Sequence, residues 1–276
     1  MPELPEVETI VRELRQEHLI GLKIVRATIL WSRSIQTPDP DSFCQQIASQ
    51  KISDITRRGK YIVFTLSKGI LLVHLRMTGK FIITSKDEKP LKHERVQLYL
   101  SDGRVLRYED QRKFGKLSLV TSTEEKFHEL GLEPLSDEFT LKEFKNRVLK
   151  SSQRIKPYLM NQRHVAGLGN IYVDEALWEA KIHPLRKANS LSEKEVTALF
   201  HAIPKVLLLG IENMGTSLGS SRANYFSVSG RRGGNQYKLK AFRQDGLPCP
   251  RCATTIIKIV VGQRGTHLCP NCQHEK

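Results

Sequence analysis

Apolar and polar residues alternate along the first half of the chain in a pattern that predicts β-strands. An Asp102-Gly103 pair marks a hairpin turn between two of the runs. The runs cover residues 22–30, 60–66, 70–75, 80–84, 96–100, 105–108 and 116–120. Many short strands in succession predict a sandwich or barrel-like β-domain. Ahead of them, apolar residues at helical spacing from Val7 to Leu14 predict a helix over residues 6–19, which must pack on or beside this domain.

The pattern changes near residues 130–134, after which apolar residues recur mainly at helical spacing. Ser192 and Glu195 have the spacing of a capping box and predict the start of a long helix. Pro204 is expected to kink or split that helix, because proline lacks an amide hydrogen and clashes with the preceding turn. Residues 214–235 are rich in Gly, Ser, Asn and Arg, which is typical of a loop that is either functional or disordered.

The charge balance indicates the class of partner. Lys and Arg total 44 against 29 Asp and Glu, which gives a formal net charge of +15 over 276 residues. Such an excess is typical of proteins that bind polyanions, although a merely basic surface is the alternative. No apolar run approaches the roughly 18 residues of a membrane span, and the acidic N-terminus does not resemble a signal peptide. We therefore expect a cytoplasmic protein without a membrane partner.

Two Cys-x-x-Cys pairs near the C-terminus predict a zinc site. Each two-residue gap lets one tight turn present two sulfur atoms, and four thiolates suit tetrahedral zinc. The intervening residues 254–268 are long enough for a β-hairpin. Redox pairs or disulfides are the alternatives, but the matched spacing favours metal. Four protein ligands leave no open position, so we expect one structural zinc ion held by Cys249, Cys252, Cys269 and Cys272.

The first residues carry candidate catalytic chemistry. Pro2 follows Met1, and a small second residue normally allows removal of the initiator methionine, so we expect Pro2 to carry a free secondary amine. An α-amino group has a pKa of about 8, so part of it is unprotonated at neutral pH and can form a Schiff base with an aldehyde-like carbon. Of Glu3 and Glu6, one could act as general acid and the other could orient the amine. The alternative is an ordinary helix start, where proline and acidic residues are favoured.

Short motifs along the whole chain resemble, in order, those of the formamidopyrimidine-DNA glycosylase family, bacterial repair enzymes for oxidised purines. They are MPELPEVET at residues 1–9, RRGKY at 57–61, HLRMTG at 74–79, DQRKFG at 110–115, IKP at 155–157, GLGNIY at 167–172 and GQRGT at 262–266, together with the four cysteines. Only the first and last are specific alone, but jointly the motifs are highly specific. The resemblance extends from residue 2 to residue 272.

The resemblance implies an α+β multidomain fold. The expected parts are an N-terminal catalytic β-sandwich domain with the leading helix (residues 1–133), a helix–two-turn–helix DNA-binding domain (134–236) and a four-cysteine zinc finger (237–276). It also implies a bifunctional DNA glycosylase and abasic-site lyase of base-excision repair, which removes 8-oxoguanine and formamidopyrimidines and nicks by β,δ-elimination. The expected partner is double-stranded DNA with oxidised bases or abasic sites. The expected state is a monomer in the bacterial cytosol or nucleoid.

The resemblance assigns roles to single residues as well. Pro2 would attack C1′ of the damaged nucleotide, Glu3 would protonate the leaving base, and Glu6 would support the amine. Lys60 would donate the proton in the β-elimination. Arg264 would serve the δ-elimination, chiefly by binding phosphate, because an arginine is a poor acid at its normal pKa. The implied DNA contacts are His74, Met77, His93, Arg112, Phe114, Lys156 and Asn170.

Three of these contacts would act on the base stack. Met77 would fill the space that a flipped base leaves, Arg112 would pair with the orphaned cytosine, and Phe114 would wedge the opposite step. The residues alone leave other interpretations open. Met77 and Phe114 could be core residues, and Lys60 and Arg264 could be solvated surface cations.

The chain departs from the family in two places: residues 151–153 lack the family's lysine cluster, for which Lys150 and Arg154 could compensate, and one loop differs. Residues 214–225 resemble the family's Gly-Gly-Ser/Thr-Thr-Leu-Arg/Lys-Asp-Tyr/Phe segment, but they look longer, and the basic position falls on Gly219 or Ser220. Since the family's loop covers the flipped oxidised purine, the choice of lesion is the least determined part of the assignment.

Two alternative functions follow. The first is an endonuclease VIII-like glycosylase for oxidised pyrimidines, against which the Arg112–Phe114 segment argues. The second is a non-catalytic DNA-binding relative, against which the presence of Pro2, Glu3 and Lys60 argues.

Overall fold

The computed structural model of the chain describes residues 1–219 and 225–275. Ser220, one of the two positions where the family's basic residue would fall, therefore lies outside the described residues. The chain divides into two compact units, each formed by two segments. The first unit comprises Met1–His128 and Asn213–Gly234, and the second comprises Glu129–Glu212 and Asn235–Lys276.

The first unit consists mainly of β-strands. Its α-helices are α1 (Leu4–Gln16), α2 (Pro40–Ile47) and the short α3 (Glu124–Phe127). Its strands are β1 (Lys23–Ile29), β2 (Ile35–Thr37), β3 (Gln50–Arg58), β4 (Tyr61–Leu66), β5 (Gly69–His74), β6 (Gly79–Ser85), β7 (Glu94–Leu100), β8 (Arg104–Asp110) and β9 (Lys116–Val120). The strands are hydrogen-bonded in the order β2-β9-β5-β4-β3-β1-β7-β8-β6.

The two halves of this sheet pack against each other as a sandwich. They are joined where β1 pairs with β3 over two residue pairs. The rings of Phe64 on β4 and Phe81 on β6 meet edge to face, with 5.9 Å between centroids, although their strands belong to different halves. Apolar residues of both halves form one buried cluster. This arrangement confirms the predicted β-sandwich.

Helix α1 packs on the sandwich through its predicted apolar stripe. Val7 and Leu14 are fully buried, and the helix contacts β3 and β4. It begins at Leu4, earlier than predicted. Pro5 lies in its first turn, and the Glu6 carboxylate accepts a hydrogen bond from the Glu3 amide at 2.8 Å, which is the arrangement of a capping box.

The seven predicted strands all occur, but α2, β2 and β3 were not predicted. Strand β3 does not show the alternation of buried and exposed residues that predicts a strand, because its register against β4 shifts between Ile52 and Asp54. The two isoleucines that it buries, Ile52 and Ile55, are therefore three positions apart rather than two. A bulge of this kind breaks the alternation on which strand prediction depends.

The second unit consists of helices and one hairpin. Its α-helices are α4 (Leu141–Leu149), α5 (Ile155–Met160), α6 (Asn170–Glu179) and α7 (Glu193–Glu212), and its strands are β10 (Ile257–Val261) and β11 (Arg264–Leu268). The predicted capping box opens α7, because the Ser192 amide donates to Glu195 and the Glu195 amide donates to Ser192 Oγ. Pro204 lies within α7 and does not split it.

Helix α6 fixes the segment that leads to the hairpin. The buried Glu175 carboxylate accepts hydrogen bonds from three consecutive amides, those of Lys240, Ala241 and Phe242, at 2.8 to 2.9 Å. Burial nevertheless raises the pKa of Glu175 above its ordinary value, with these bonds acting against the rise. Among the helices in the described ranges, none has the length and apolar character needed to cross a membrane.

Candidate functional site

The N-terminal residues form a buried acidic cluster at the start of α1. Pro2, Glu3 and Glu6 are all buried. The terminal amine is that of Met1 in this structure, and burial lowers its pKa, while the charges of Glu3 and Glu6 raise it and that of Lys60 lowers it. A lowered pKa favours the unprotonated, nucleophilic form. The Pro2 nitrogen becomes an amine at this place only when Met1 is removed.

Lys60 lies in the turn between β3 and β4 and is buried, so it is not a solvated surface cation. The neighbouring Arg57 connects this turn to α1. Its Nε donates to Glu8 Oε2 at 3.1 Å, and its Nη1 donates to the Gly59 carbonyl at 3.1 Å. The sequence alone could not separate these two cations, one structural and one close to the terminal amine.

Of the two predicted histidines, His74 has the more defined surroundings. Its Nδ1 accepts a hydrogen bond from the Arg76 amide at 3.1 Å. Burial, and then the charges of Arg76 and Lys60, lower the pKa of His74 to about 3. The ring is therefore neutral at physiological pH, and its proton resides on Nε2. His93 is half-buried, and its carbonyl accepts from the Asp110 amide at 2.9 Å.

Two loops present Met77 and Phe114 to solvent. Met77 lies between β5 and β6 and is 42% exposed, and Phe114 lies between β8 and β9 and is 50% exposed. Neither is a core residue. Arg112 joins them, because its Nη1 lies 3.2 Å from Met77 Sδ and its guanidinium carbon lies 4.9 Å from the centroid of the Phe114 ring. Arg76 and Lys113 have φ angles of 53° and 60°, a left-handed conformation that is uncommon for non-glycine residues.

The buried Asp110 holds these two loops together. Its Oδ1 accepts hydrogen bonds from the Thr78 hydroxyl and from the Arg112 amide, and its Oδ2 accepts from the Gly115 amide at 2.7 Å. Hydrogen bonds to an ionised carboxylate are stronger than neutral ones. The sequence alone indicates no role for Asp110. The available signal was its place at the start of the DQRKFG motif.

Arg264 begins β11 directly after the hairpin turn, and its side chain is exposed. Val261 pairs with Arg264, so the loop has two residues, Gly262 and Gln263, with φ angles of 56° and 60°. Positive φ at both positions is the requirement of a type I′ turn. The turn thereby presents one guanidinium at the tip of the hairpin.

The Gly265 carbonyl links this hairpin to two residues that were predicted to contact phosphate. Asn170 Nδ2 donates to it at 2.9 Å, and Lys156 Nζ donates to it at 3.3 Å. Lys156 is 0% exposed, and its ammonium also donates to Asp174 Oδ1 at 2.6 Å. Asp174 Oδ2 in turn accepts from the His267 amide at 2.9 Å. This geometry makes Lys156 a support of the hairpin turn, because its ammonium is engaged inside the protein rather than offered to a phosphate.

The four C-terminal cysteines fit a tetrahedral zinc ion. Their sulfur atoms all lie within 4.8 Å of one another, and the Cys252 sulfur lies 3.4 Å from those of Cys269 and Cys272. Zinc–sulfur bonds of about 2.3 Å in a tetrahedron require sulfur atoms about 3.8 Å apart, whereas a disulfide requires about 2 Å. Trp178 Nε1 donates to Cys249 Sγ at 3.4 Å and so connects the site to α6. The set is the predicted structural zinc site, with the β10–β11 hairpin between its pairs.

Sequence profiles of three domain families match this chain. They are the formamidopyrimidine-DNA glycosylase N-terminal domain over residues 1–117, the formamidopyrimidine-DNA glycosylase H2TH domain over 130–221, and the zinc finger found in FPG and IleRS over 246–274. The formamidopyrimidine-DNA glycosylase of Protochlamydia amoebophila is 46% identical over 274 residues, which cover 99% of each chain.

Solved structures of complexes with DNA are similar over nearly the whole chain. One is a complex between the Lactococcus lactis FPG (MutM) and a Fapy-dG containing DNA, with a TM-score of 0.89, 36% identity, and coverage of 99% of this chain and 100% of that one. Another is MutM in complex with carbocyclic 8-oxo-G containing DNA, with a TM-score of 0.90, 38% identity and the same coverage.

Proposed function

Because this chain belongs to the formamidopyrimidine-DNA glycosylase family, we propose that it excises 8-oxoguanine and formamidopyrimidines from duplex DNA and then nicks the abasic strand. The observation that carries this proposal is the buried cluster at the start of α1, where Pro2 lies beside Glu3 and Glu6, and where the charges of Glu3, Glu6 and Lys60 act on the chain terminus. The DNA complexes of the similar proteins support the choice of lesion. We propose that it acts as a monomer in the bacterial cytosol, at the nucleoid.

The proposed chemistry begins at Pro2 after Met1 is removed. The Pro2 nitrogen forms a bond to C1′ as the glycosidic electron pair leaves with the base, which Glu3 protonates. The attacking nitrogen then loses its proton and O4′ gains one, so that the C1′–O4′ bond breaks and leaves an iminium between the Pro2 nitrogen and C1′. The iminium acidifies the C2′ proton. Transfer of this proton to water breaks the bond to the 3′ phosphate, and a second elimination breaks the bond to the 5′ phosphate. Lys60, buried close to the amine, supplies the proton for the first elimination.

The proposed DNA contacts act on a base that has left the helix, since chemistry at C1′ with this geometry needs a flipped nucleotide. Met77 fills the vacated position, Arg112 pairs with the orphaned cytosine, and Phe114 wedges the opposite step. Their exposure and their contacts with one another support these roles. Arg264 at the hairpin turn is assigned to phosphate binding. The loop of residues 213–234 contacts the flipped base and selects the lesion.

Borohydride trapping tests the nucleophile. The enzyme is incubated with a duplex that carries 8-oxoguanine opposite cytosine, reduced with borohydride and digested, and the DNA-bearing peptide is sequenced by mass spectrometry. We expect the adduct on Pro2, in protein that has lost Met1. Glu3→Gln should slow base release by about 100-fold or more, because general acid catalysis typically contributes that much, whereas Glu17→Gln, at the exposed end of the same helix, should release base at the wild-type rate.

An adduct on a lysine, or none at all, would contradict the proposed nucleophile. The same assay on a thymine glycol duplex separates the alternative function. Faster release of thymine glycol than of 8-oxoguanine would assign the chain to oxidised pyrimidines instead.

A further inference from the structure

Helix α1 carries two buried carboxylates on one face. Glu6 is 1% exposed and Glu13 is 5% exposed. They are seven residues apart, which is close to two helical turns, so both side chains lie on the same stripe of the helix. A buried carboxylate is costly unless hydrogen bonds or opposite charges compensate it. Both find these partners in the loop of residues 213–234, which belongs to the same unit.

Each carboxylate holds a different end of this loop. Glu6 bonds the first stem, at Thr216, and Glu13 bonds the second stem, at Ser229 and Arg231. Glu6 Oε1 accepts from the Thr216 amide at 2.7 Å. Glu13 Oε2 accepts from the Ser229 amide at 3.0 Å, and its Oε1 accepts from Ser229 Oγ at 3.1 Å and from Arg231 Nη2 at 3.0 Å. The first stem is thus fixed near the N-terminal end of α1, and the second is fixed about two turns further along the helix.

The two stems are also bonded to each other. Ser217 Oγ donates to the Tyr225 carbonyl at 2.6 Å, and the Gly233 amide donates to Ser217 Oγ at 3.0 Å. Gly215 has a φ of +77°, and a β-carbon there would lie 2.8 Å from Glu6 Cγ and 3.0 Å from the Tyr225 ring. The two stems of the loop are therefore held both to α1 and to each other.

We infer that Glu13 is a positioning residue for lesion selection, which acts by fixing the second stem of the 213–234 loop to the helix that begins at the nucleophile. Glu13 lies 11 residues from Pro2, about 16 Å along a helix, so it does not touch the reacting atoms. The inference rests on the proposed function, in which this loop contacts the flipped base. An abasic site has no base to contact, so cleavage at a preformed abasic site does not require the anchored stem.

Glu13→Gln tests the inference in the full-length zinc-loaded enzyme. The amide keeps the size of the side chain and one acceptor for Ser229, but it removes the charge that pairs with Arg231. We expect single-turnover release of 8-oxoguanine to slow about tenfold, as for the loss of one charge-assisted hydrogen bond, and cleavage of a preformed abasic site to keep its wild-type rate. Glu17→Gln is the matched control, because Glu17 follows the same helix but pairs with Arg104, and both rates should stay unchanged.

Arg231→Gln provides a second variant that does not disturb the helix, because the Arg231 side chain is 59% exposed. Arg231→Gln should also slow base release. The Glu13→Gln Arg231→Gln double variant should release base no more slowly than the slower of the two single variants. Hydrogen exchange at the Ser229 amide should rise in each variant. Hydrogen exchange reports how firmly the second stem is held, independently of the substrate that is cleaved.

The possible outcomes separate the two proposals. If the wild type releases no 8-oxoguanine, the proposed function fails. If the wild type releases it and both variants do so equally fast, the positioning role fails. An equal loss of base release and abasic-site cleavage would also overturn it, since a general loss of folding moves both rates together.

Discussion

Asp110 accepts hydrogen bonds from the Thr78 hydroxyl and from the amides of Arg112 and Gly115, which lie on both loops that expose Met77 and Phe114. Thr78 Oγ1 also accepts from the Arg112 amide at 3.0 Å, which closes the network. The buried carboxylate therefore fixes the spacing of two side chains that would enter the base stack at different steps. Since two wedges act together only at a defined separation, we expect the network to matter for DNA distortion.

Asp110→Asn should uncouple the two loops, because an amide group cannot accept at both of its ends. We expect release of 8-oxoguanine to slow roughly tenfold, with a smaller fluorescence rise from a 2-aminopurine placed beside the lesion, which reports unstacking. Asp102→Asn is the control, because Asp102 also accepts from a backbone amide, in the turn before β8. Wild-type fluorescence and wild-type base release in Asp110→Asn would show that the network has no part in the reaction.

At the scale of single elements, the β10–β11 hairpin depends for its stability on contacts outside its own two strands. An isolated two-stranded hairpin is marginally stable in water. Here the four cysteines hold its ends, and the Gly265 carbonyl at its turn is held by Asn170 and by the buried Lys156. The metal has no open position for chemistry, so its contribution is to keep Arg264 in place.

Cys252→Ser should remove the metal and with it the DNA binding and nicking activities. Structural zinc contributes on the order of 10 kcal/mol to folding in small zinc modules, so the hairpin should unfold. The strands of the first unit should stay protected in hydrogen exchange, because their core contains no residue of the hairpin. Cys44→Ser, in α2, is the control and should retain one zinc per chain and full binding. Normal DNA binding by zinc-free Cys252→Ser would remove the hairpin from the DNA-binding surface.

At the scale of the whole molecule, the excess of 15 positive charges should govern affinity for any duplex. Phosphate contacts release counterions, so the logarithm of the binding constant falls linearly with the logarithm of salt concentration. Contacts of this kind hold the protein on DNA without reading sequence. The slope of that line counts the cations that bind phosphate, and so distinguishes them from cations with protein partners.

Arg264→Gln should weaken binding to a duplex with an abasic analogue and reduce the salt slope by about one. Arg163→Gln is the control in the same unit, because Arg163 is exposed but paired with Glu129, and it should leave the slope unchanged. An unchanged slope in Arg264→Gln would remove Arg264 from the phosphate contacts.

The features that the sequence predicted correctly depend on neighbouring positions. The two Cys-x-x-Cys pairs, the capping box of Ser192 and Glu195, and the apolar stripe of α1 each lie within a few residues, where spacing alone sets the geometry. The family's motifs extended the prediction of fold and function to the whole chain. Where local spacing is broken, as by the register shift in β3, the prediction failed.

Tertiary structure alone decided which groups meet. Glu13 meets Arg231 and Lys156 meets Gly265 across separations of 218 and 109 residues, and no periodicity records such pairs. Burial then changed the chemistry, because it lowers the pKa of His74 to about 3 and engages Lys156 inside the protein. The residue types came from the sequence, but their protonation and partners came from removal of water around them, which only the folded chain brings about.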